Sequence, residues 1–324
     1  MDVLEKIYRA KSTLKNNIVK TPLISLSIVN ELLNKNVFIK LESLQHTGSF
    51  KYRGALNALE NLKKKKVKSV VTYSSGNHGQ AISAAAKLLG MKAFVIMPKD
   101  APKLKIERTK FFGSEIIFFD RNHESREIIG RKISKKLSIP LVKPYDNYDV
   151  IAGQGTVGLE IHDQLKNKNI TEAEVLVCCG GGGLSAGVAL ALSDKNEKYL
   201  VRTCEPDNYD DTKKSLELQK RIYVTEFKKS ICDALLSETP GELTLPILTK
   251  FAGKGFSVSD QEVLFSMAFA FKHLKIVTEP GGAVALASTI FRANQISSKN
   301  VVVIITGGNV DVNLFQKAIR VKID

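Results

Sequence analysis

The sequence lacks several features, and each absence excludes a class of protein. It has no tryptophan, and its four cysteines, Cys178, Cys179, Cys204 and Cys232, show no C-x-x-C spacing, so a zinc finger is not indicated and we expect buried, reduced thiols. No apolar run approaches the roughly 20 residues that a membrane-spanning helix needs. The first residues contain no apolar signal-peptide core. These absences predict a cytoplasmic protein without a membrane partner.

Arginine is also scarce. Only ten of the 48 basic residues are Arg, although the formal net charge is +15. Proteins that read bases and phosphates favour Arg, and the sequence contains neither an RNP motif nor interleaved aromatic and basic residues. We therefore predict a solvated basic face that helps to gather anionic small molecules, and no nucleic-acid partner.

What the sequence does contain is a repeated unit of strand, loop and helix. Such units recur at intervals of roughly 25–30 residues, which is typical of a parallel sheet. The 324 residues, 44% of them hydrophobic, suffice for two domains or one large α/β unit. The N-terminus predicts an amphipathic helix with Ile7 and Leu14 on one side, and residues 140–148 form an irregular connection suited to a crossing between domains. The predicted buried strands cover residues 69–73, 93–97, 115–119, 174–179 and 301–305.

One lysine stands in a setting unlike that of the others. Lys51 follows the turn Gly48–Ser49 and Phe50, and it opens a helical run of apolar residues for which Ser49 is the predicted N-cap. A helix N-terminus and burial both favour the neutral amine, the form that makes a Schiff base with an aldehyde. The alternative for Lys51 is a surface charge at the start of a helix.

Four consecutive glycines, Gly180, Gly181, Gly182 and Gly183, separate a strand from a helix. Such a loop offers backbone amides and a helix dipole to an anion, and without Cβ atoms its backbone can lie against the ligand, for which a phosphate is the best match. The stretch also fits a dinucleotide fingerprint, with Glu205 as the ribose partner, whereas the Gly-Lys-Ser/Thr of a nucleotide P-loop is absent. A tight turn without a ligand is the remaining alternative.

Three more stretches carry polar groups that suit ligands. Residues 74–78 follow a strand and open a helix, so they either bind a carboxylate, with Asn77 on a ring oxygen, or form an ordinary N-cap. Thr306 ends the last predicted strand, where active groups of parallel sheets gather, and its hydroxyl can reach a ring nitrogen. Residues 205–211 place oxygen atoms at alternating positions, which suits Mg²⁺ or Ca²⁺ as well as a solvated acidic loop.

Taken together, these motifs resemble the fold type II pyridoxal-phosphate enzymes, the tryptophan-synthase-β-like group, over almost the whole chain. Within that group the chain is most similar to the branch of serine racemase, the serine/threonine dehydratases and the 3-hydroxyaspartate dehydratases. The motifs are S-F-K-Y-R-G-A at 49–55, S-S-G-N-H-G-Q at 74–80, I-A-G-Q-G-T at 151–156, G-G-G-G-L at 180–184, E-P at 279–280 and G-G-N-V-D at 307–311.

The resemblance implies an α/β fold of two doubly wound domains with the cofactor in the cleft between them. Residues 1–66 and 147–324 would form the large cofactor-binding domain, and residues 67–146 the small domain that binds the substrate carboxylate. We also expect a homodimer. The residues implied to bind pyridoxal 5'-phosphate are Phe50, Lys51, Asn77, Gly180, Gly181, Gly182, Gly183, Leu184 and Thr306, and those implied to bind the substrate are Ser74, Ser75, Asn77, His78 and Arg126.

The resemblance also implies roles. Lys51 would hold the cofactor and then act as the base, while Asn77 bonds the ring 3′-oxygen and Thr306 meets the pyridine nitrogen. The divalent-cation site of the racemase branch is matched by Glu205, the Tyr209 carbonyl and Asp211, with Mg²⁺, Ca²⁺ or Mn²⁺ as the ion.

Two positions bear on the reaction and its substrate. Threonine deaminases usually carry Ala where this chain has Ser75, whereas serine racemase carries Ser there as a second acid/base on the ring face opposite Lys51. Arg126 matches a position near the substrate's side-chain end, where it would suit a second carboxylate, and a surface arginine is the alternative. The implied activity is a dehydratase that converts serine, threonine or 3-hydroxyaspartate to a 2-oxo acid and ammonia. The alternative is an amino-acid racemase that uses Lys51 and Ser75 as opposing bases.

Overall fold

The structure is a computed structural model that describes residues 2–74, 76–101, 103–121 and 123–323, with only the backbone of Leu104. The helices are α1 (Val3–Leu14), α2 (Ser27–Leu33), α3 (Lys51–Lys64), α4 (Asn77–Leu89), α5 (Lys103–Phe111), α6 (Arg126–Leu137), α7 (Tyr148–Lys166), α8 (Gly183–Ser193), α9 (Asp211–Leu218), α10 (Thr244–Phe251), α11 (Asp260–Phe269), α12 (Pro280–Phe291) and α13 (Val312–Ile319). The strands are β1 (Leu23–Ile24), β2 (Asn36–Leu41), β3 (Ser69–Tyr73), β4 (Lys92–Pro98), β5 (Glu115–Phe119), β6 (Glu172–Cys178), β7 (Lys198–Pro206), β8 (Phe256–Val258) and β9 (Asn300–Ile305).

The larger of two sheets has six strands in the order β1-β2-β9-β6-β7-β8. Its strands pair in parallel, except that the short edge strand β1 runs antiparallel to β2. The central strands β6 and β9 are buried along nearly their whole length because helices cover both faces, and this explains the continuous apolar runs at residues 175–178 and 301–305. The helices α8 and α12 are equally apolar and buried.

The smaller sheet is parallel and has the order β3-β4-β5. Backbone hydrogen bonds extend it beyond β3, since the Val71 amide donates to the Pro140 carbonyl (3.0 Å) and the Val142 amide donates to the Val71 carbonyl (2.9 Å). All three strands fall within residues 67–146 and the strands of the larger sheet fall outside them. The division into domains at those residues stays a prediction.

A cluster of buried charges joins the start of α3 to β2 and α7. Arg53 is fully buried and pairs with Glu42 (2.8 Å) and Glu160 (2.7 Å), and the fully buried Lys40 also pairs with Glu160 (2.6 Å). Removing one partner from such a cluster typically costs about 3–5 kcal/mol, because it leaves an uncompensated buried charge. The cluster therefore holds the first turn of α3, where Lys51 lies, against the rest of the large sheet.

The sequence-based expectations for single elements are largely confirmed. The strands predicted at 69–73 and 115–119 have those ends in β3 and β5, Ile7 and Leu14 are the buried side of α1, and all four cysteines are free and buried. The prediction that Ser49 caps α3 is wrong: Phe50 occupies the N-cap position without a side-chain cap, and the Ser49 hydroxyl is buried. Within the described ranges, no helix combines the length and apolar content needed to cross a bilayer.

Candidate active site

Most of the predicted ligand-binding residues meet at one cavity between the two sheets. The cavity encloses about 900 Å³ of empty space, part of it open to solvent. The predicted residues that line it are Phe50, Lys51, Ser74, Asn77, His78, Arg126, Gly181 and Thr306. In the part of the chain that the structure describes, the predicted cation ligands Glu205, Tyr209 and Asp211 do not line it. Ser75 lies outside the described residues.

The turn before Lys51 is fixed to the end of β9. The Phe50 amide donates to the Thr306 carbonyl (3.1 Å), and the Gly308 amide donates to the Gly48 carbonyl (2.9 Å). Lys51 is thus the first residue of α3 and lies beside the carboxyl end of a central strand, where the active groups of parallel sheets gather. The same contacts place Thr306 in the cavity close to this lysine.

The pKa of the Lys51 amine lies much closer to physiological pH than that of an ordinary lysine, so a larger fraction of the amine is neutral. It donates a hydrogen bond to the Pro144 carbonyl (3.0 Å). Burial lowers the pKa of Lys51 to about 8, although the charge of Glu279 acts in the opposite direction. Because only the neutral amine attacks an aldehyde, this lowered pKa suits a lysine that forms a Schiff base.

The glycine loop reaches the wall of the cavity through Gly181, whereas the predicted residues Gly180, Gly182, Gly183 and Leu184, all within the described ranges, do not line it. Gly182 has φ +88°, a left-handed conformation that favours glycine, and a Cβ on Gly181 would overlap the ring of Tyr145. The Gly181 carbonyl accepts hydrogen bonds from the Thr244 hydroxyl (2.7 Å) and the Gly241 amide (3.1 Å), so the amide on the other side of that peptide points away from them. The first amides of α8 have no intrahelical acceptor and, with the helix dipole, suit a phosphate.

The loop at the start of α4 presents neutral polar groups. The Gly76 amide donates to the Ser74 hydroxyl (3.1 Å). His78 Nε2 lies 3.3 Å from the Val142 carbonyl, which can only accept, so Nε2 carries the proton. Burial, together with the charge of Lys51, lowers the pKa of His78 to about 3, so this histidine is a neutral side chain and not a proton donor at neutral pH.

Sequence reasoning missed a buried carboxylate at this site. Glu279 lines the cavity and is 4% exposed, and its Oε1 accepts a hydrogen bond from Asn77 Nδ2 (2.6 Å). Burial, and next the charge of Asp233, raise the pKa of Glu279 to about 7. The signal was present in the E-P pair, because Glu279 directly precedes Pro280 at the N-terminus of α12. Lys105 and Asp233 were also missed, and they form an ion pair at the rim of the cavity.

Arg126 lies on the outer wall of the cavity. Its guanidinium carbon is 5.5 Å from the centroid of the Tyr73 ring, and its Nε donates to Glu127 Oε1 (2.8 Å). The side chain is 41% exposed, so it is neither a purely structural residue nor a free surface group. Arg126 therefore combines a supporting aromatic face with access to the cavity.

Two of the predicted cation ligands, Glu205 in β7 and Asp211 at the start of α9, are buried and interact electrostatically, and we call them the acidic pocket. The Glu205 carboxylate accepts the amides of Thr212 (2.9 Å) and Lys213 (2.7 Å) at the start of α9. Both carboxylate oxygens of Asp211 are buried and have no hydrogen-bond partner in the described part of the chain. Burial raises the pKa of Asp211 to about 7, and burial together with the charge of Asp211 raises the pKa of Glu205 well above its usual range.

No larger metal cluster accompanies these two carboxylates. Among residues 2–74, 76–101, 103–121 and 123–323, no group of three or more His, Cys, Asp or Glu side chains could hold a metal ion. A cation here would depend on two carboxylates and backbone oxygens such as that of Tyr209, the oxygen-only set that Mg²⁺ and Ca²⁺ prefer.

Comparison with known proteins agrees with this geometry. A family model described as a pyridoxal-phosphate dependent enzyme matches residues 14–307. The chain is 35% identical over 324 residues to the L-threo-3-hydroxyaspartate ammonia-lyase of Saccharomyces cerevisiae, an alignment that covers 100% of this chain and 97% of that protein. It is 36% identical over 323 residues to the serine racemase of Dictyostelium discoideum, which covers 98% of each protein.

A solved structure extends the likeness to three dimensions. The crystal structure of a T.th. threonine deaminase superposes with a TM-score of 0.89 at 34% identity, over 95% of this chain and 98% of that chain. The family model and the relatives cover nearly the whole sequence, and the cavity is lined by Lys51, by Gly181 of the glycine loop and by Ser74, Asn77 and His78. The chain therefore belongs to the pyridoxal-phosphate dependent enzymes and has their fold type II architecture.

Proposed function

We propose that the protein is an ammonia-lyase that converts a β-hydroxy amino acid, either serine, threonine or 3-hydroxyaspartate, to a 2-oxo acid and ammonia. One observation carries this proposal: Lys51, whose amine has a lowered pKa, lines the same cavity as Gly181 and the polar residues Ser74, Asn77 and His78. The names of two relatives, an L-threo-3-hydroxyaspartate ammonia-lyase and a threonine deaminase, support lyase chemistry on a hydroxy amino acid.

The residues present fit pyridoxal phosphate. The glycine loop, whose amides at the start of α8 have no intrahelical acceptor, suits the phosphate, and Lys51 suits the aldehyde. Asn77 would bond the ring oxygen and Thr306 the pyridine nitrogen, where a hydroxyl is a neutral partner. When bound, the cofactor supplies an electron sink for the electron pair left at the substrate Cα.

The chain's own groups then orient the substrate and move its proton. The neutral hydroxyls and amides at the start of α4 suit the substrate α-carboxylate, since they donate hydrogen bonds at a helix N-terminus. The Lys51 amine takes the proton from Cα, and its pKa near the working pH suits a general base. Arg126, on the outer wall, would hold a second carboxylate and so favour 3-hydroxyaspartate among the three substrates.

The acidic pocket supports the proposal of a divalent cation bound by Glu205, the Tyr209 carbonyl and Asp211. Two buried carboxylates with raised pKa values, one of them without any partner in the described chain, are what a Mg²⁺, Ca²⁺ or Mn²⁺ ion would neutralise. The ion would lie apart from the cavity, so its role would be to hold the loop before α9 rather than to contact the substrate.

A racemase activity is the second candidate. Relatives named serine racemase support it, and Ser75 would be the base opposite Lys51. In Ser75→Ala we expect racemisation of L-serine to disappear while elimination from the L-enantiomer continues. Racemisation that persists in this variant would rule out the two-base assignment.

The activity is tested by loading the purified protein with pyridoxal phosphate and assaying 2-oxo acid and ammonia from L-serine, L-threonine and both 3-hydroxyaspartate diastereomers. Lys51→Ala should lose the visible absorbance of the bound cofactor and all turnover. Lys64→Ala removes an exposed lysine from the same helix and should change neither. If the loaded wild-type protein forms no 2-oxo acid from any of these substrates, the lyase proposal fails.

Three expectations about the molecule as a whole are part of the same proposal: a homodimer, a cytoplasmic location, and a small domain at residues 67–146. Light scattering coupled to gel filtration measures the first. Limited proteolysis near residues 66 and 146 tests the third, because boundaries between domains are cut preferentially.

A further inference from the structure

A chain of hydrogen bonds runs from the protein surface to the buried carboxylate of the site. Arg108, on the exposed side of α5, donates from Nη1 to Asn309 Oδ1 (2.5 Å). Asn309 Nδ2 donates to Asn77 Oδ1 (2.8 Å), and Asn77 Nδ2 donates to Glu279 Oε1 (2.6 Å). Four polar side chains are therefore joined in a single row.

The direction of every bond in this row is fixed by its two ends. A guanidinium can only donate, so it selects the oxygen of the Asn309 amide. Asn309 Nδ2 also donates to the Thr47 carbonyl (2.8 Å), which can only accept and so selects the nitrogen. Both anchors give the same orientation, and Asn77 must then present its oxygen to Asn309 and its nitrogen to Glu279.

Each of the three bonds also joins residues of different sheets. Arg108 and Asn77 belong to α5 and α4, which pack with the smaller sheet, whereas Asn309 follows β9 and Glu279 precedes α12. The bonds consequently form only when the two halves of the cleft are together. Gly48 makes room for this arrangement, because a Cβ there would lie 2.7 Å from Asn309 Oδ1.

We propose that Asn309, held by Arg108, is a positioning residue that keeps the nitrogen of the Asn77 amide directed at Glu279 and at the cofactor ring oxygen. The inference rests on the proposed cofactor contact of Asn77. One hydrogen of Asn77 Nδ2 is used by Glu279, and the second is available to the ring. A reversed amide would present an oxygen to both acceptors and lose both hydrogen bonds.

The test uses the holoenzyme and two readouts that do not depend on turnover: the pH dependence of the visible absorbance of the bound cofactor, and the rate at which the cofactor is released. Asn309→Asp keeps the size of the side chain but replaces the donor to Asn77 with an acceptor. We expect it to shift the pH midpoint of the absorbance and to accelerate release roughly tenfold, the usual scale for losing a buried hydrogen bond. Arg108→Met should shift the pH midpoint and the release rate in the same directions as Asn309→Asp does, but by smaller amounts.

Two comparisons separate positioning from a general loosening of the loop. In an Asn77→Ala background, Asn309→Asp should produce no further change in either readout. Lys110→Met, which removes an exposed charge from the same helix as Arg108, should behave as wild type. Wild-type absorbance and release in Asn309→Asp, or effects of Asn309→Asp and Asn77→Ala that simply add, would overturn the proposal.

The surface variant keeps the test decisive if the buried one does not fold. Arg108→Met lies at an exposed position, so an unchanged pH midpoint and release rate in this variant would also overturn the proposal. Because both readouts report on the bound cofactor, they give an answer even if the protein turns over no hydroxy amino acid. Failure of the proposed lyase activity and failure of this inference are thus distinguished.

Discussion

Replacing Asp211 with asparagine tests the acidic pocket through stability. Asp211 is 2% exposed, and neither of its carboxylate oxygens has a partner in the described part of the chain. Burial raises its pKa from 3.8 to about 7. Since the folded pKa lies above the unfolded one, the folded state binds more protons between these two pH values, and the free energy of unfolding falls as pH rises through that window.

The size of the effect follows from the pKa. Holding Asp211 ionised above pH 7 costs about 4 kcal/mol in the absence of a cation. The asparagine side chain carries no charge, so in chelator at pH 8 the Asp211→Asn variant should be more stable than wild type by up to about 4 kcal/mol. A bound cation reduces this difference. At a cation concentration of 100 times its Kd, binding adds about 2.7 kcal/mol to the free energy of unfolding of wild type and not to that of the variant.

The assay is thermal unfolding followed by circular dichroism at pH 5 and pH 8, with chelator and with Mg²⁺ or Ca²⁺. Asp207→Asn, which removes an exposed carboxylate from the same loop, is the matched control and should follow wild type. The reasoning is refuted if Asp211→Asn is no more stable than wild type in chelator at pH 8. It is equally refuted if the variant gains as much from the cation as wild type does.

The remaining predictions concern the cavity. Gly181→Ala should abolish cofactor uptake, measured by absorbance, because the added Cβ would overlap the Tyr145 ring and displace the loop. Arg126→Met should raise KM for 3-hydroxyaspartate at least roughly tenfold more than KM for serine, with Arg131→Met on the same helix as the control; equal effects on both substrates would contradict a carboxylate contact. The rate of cofactor uptake by the cofactor-free protein should rise with pH and reach half its maximum near the pKa of Lys51, about 8. Glu279→Gln should move this midpoint to lower pH, because it removes the charge that raises the pKa of Lys51.

Much of the fold could be predicted because its signals are local. The strand at 69–73 is an apolar run that ends at a cluster of Ser, Gly and Asn, and β3 ends there too. The glycine loop was predictable for the same reason, since four consecutive glycines between a strand and a helix are a local pattern that indicates a backbone able to lie against a ligand. The role of Lys51 could be predicted only together with these motifs, because a lysine at a helix start is by itself an ordinary surface residue.

The parts that could not be predicted depend on contacts between distant segments. Asn77 and Glu279 are 202 residues apart in sequence, and no local pattern shows that one would donate to the other. The Ser49 prediction failed on a related point. A serine just before a helical run of apolar residues is a good cap by local rules. Here the bonds that join this turn to the end of β9 fix its backbone, the helix begins at Lys51, and the N-cap position falls on Phe50.

Burial acts on Lys51 and Glu279 in opposite directions and brings their pKa values close together. The pKa of Lys51 falls to about 8 and that of Glu279 rises to about 7, because an enclosed site disfavours both charged forms. The carboxylate of Glu279 raises the pKa of Lys51, and the ammonium of Lys51 lowers the pKa of Glu279. These interactions oppose the effect of burial and limit how far either pKa moves. A proton can consequently leave or reach the Lys51 amine near neutral pH at little cost, which is what a base that alternates between two protonation states requires. Asn77 donates to Glu279 and is also the residue proposed to bond the ring oxygen. The charge of Glu279 therefore favours the same orientation of the Asn77 amide as the hydrogen bond from Asn309 does.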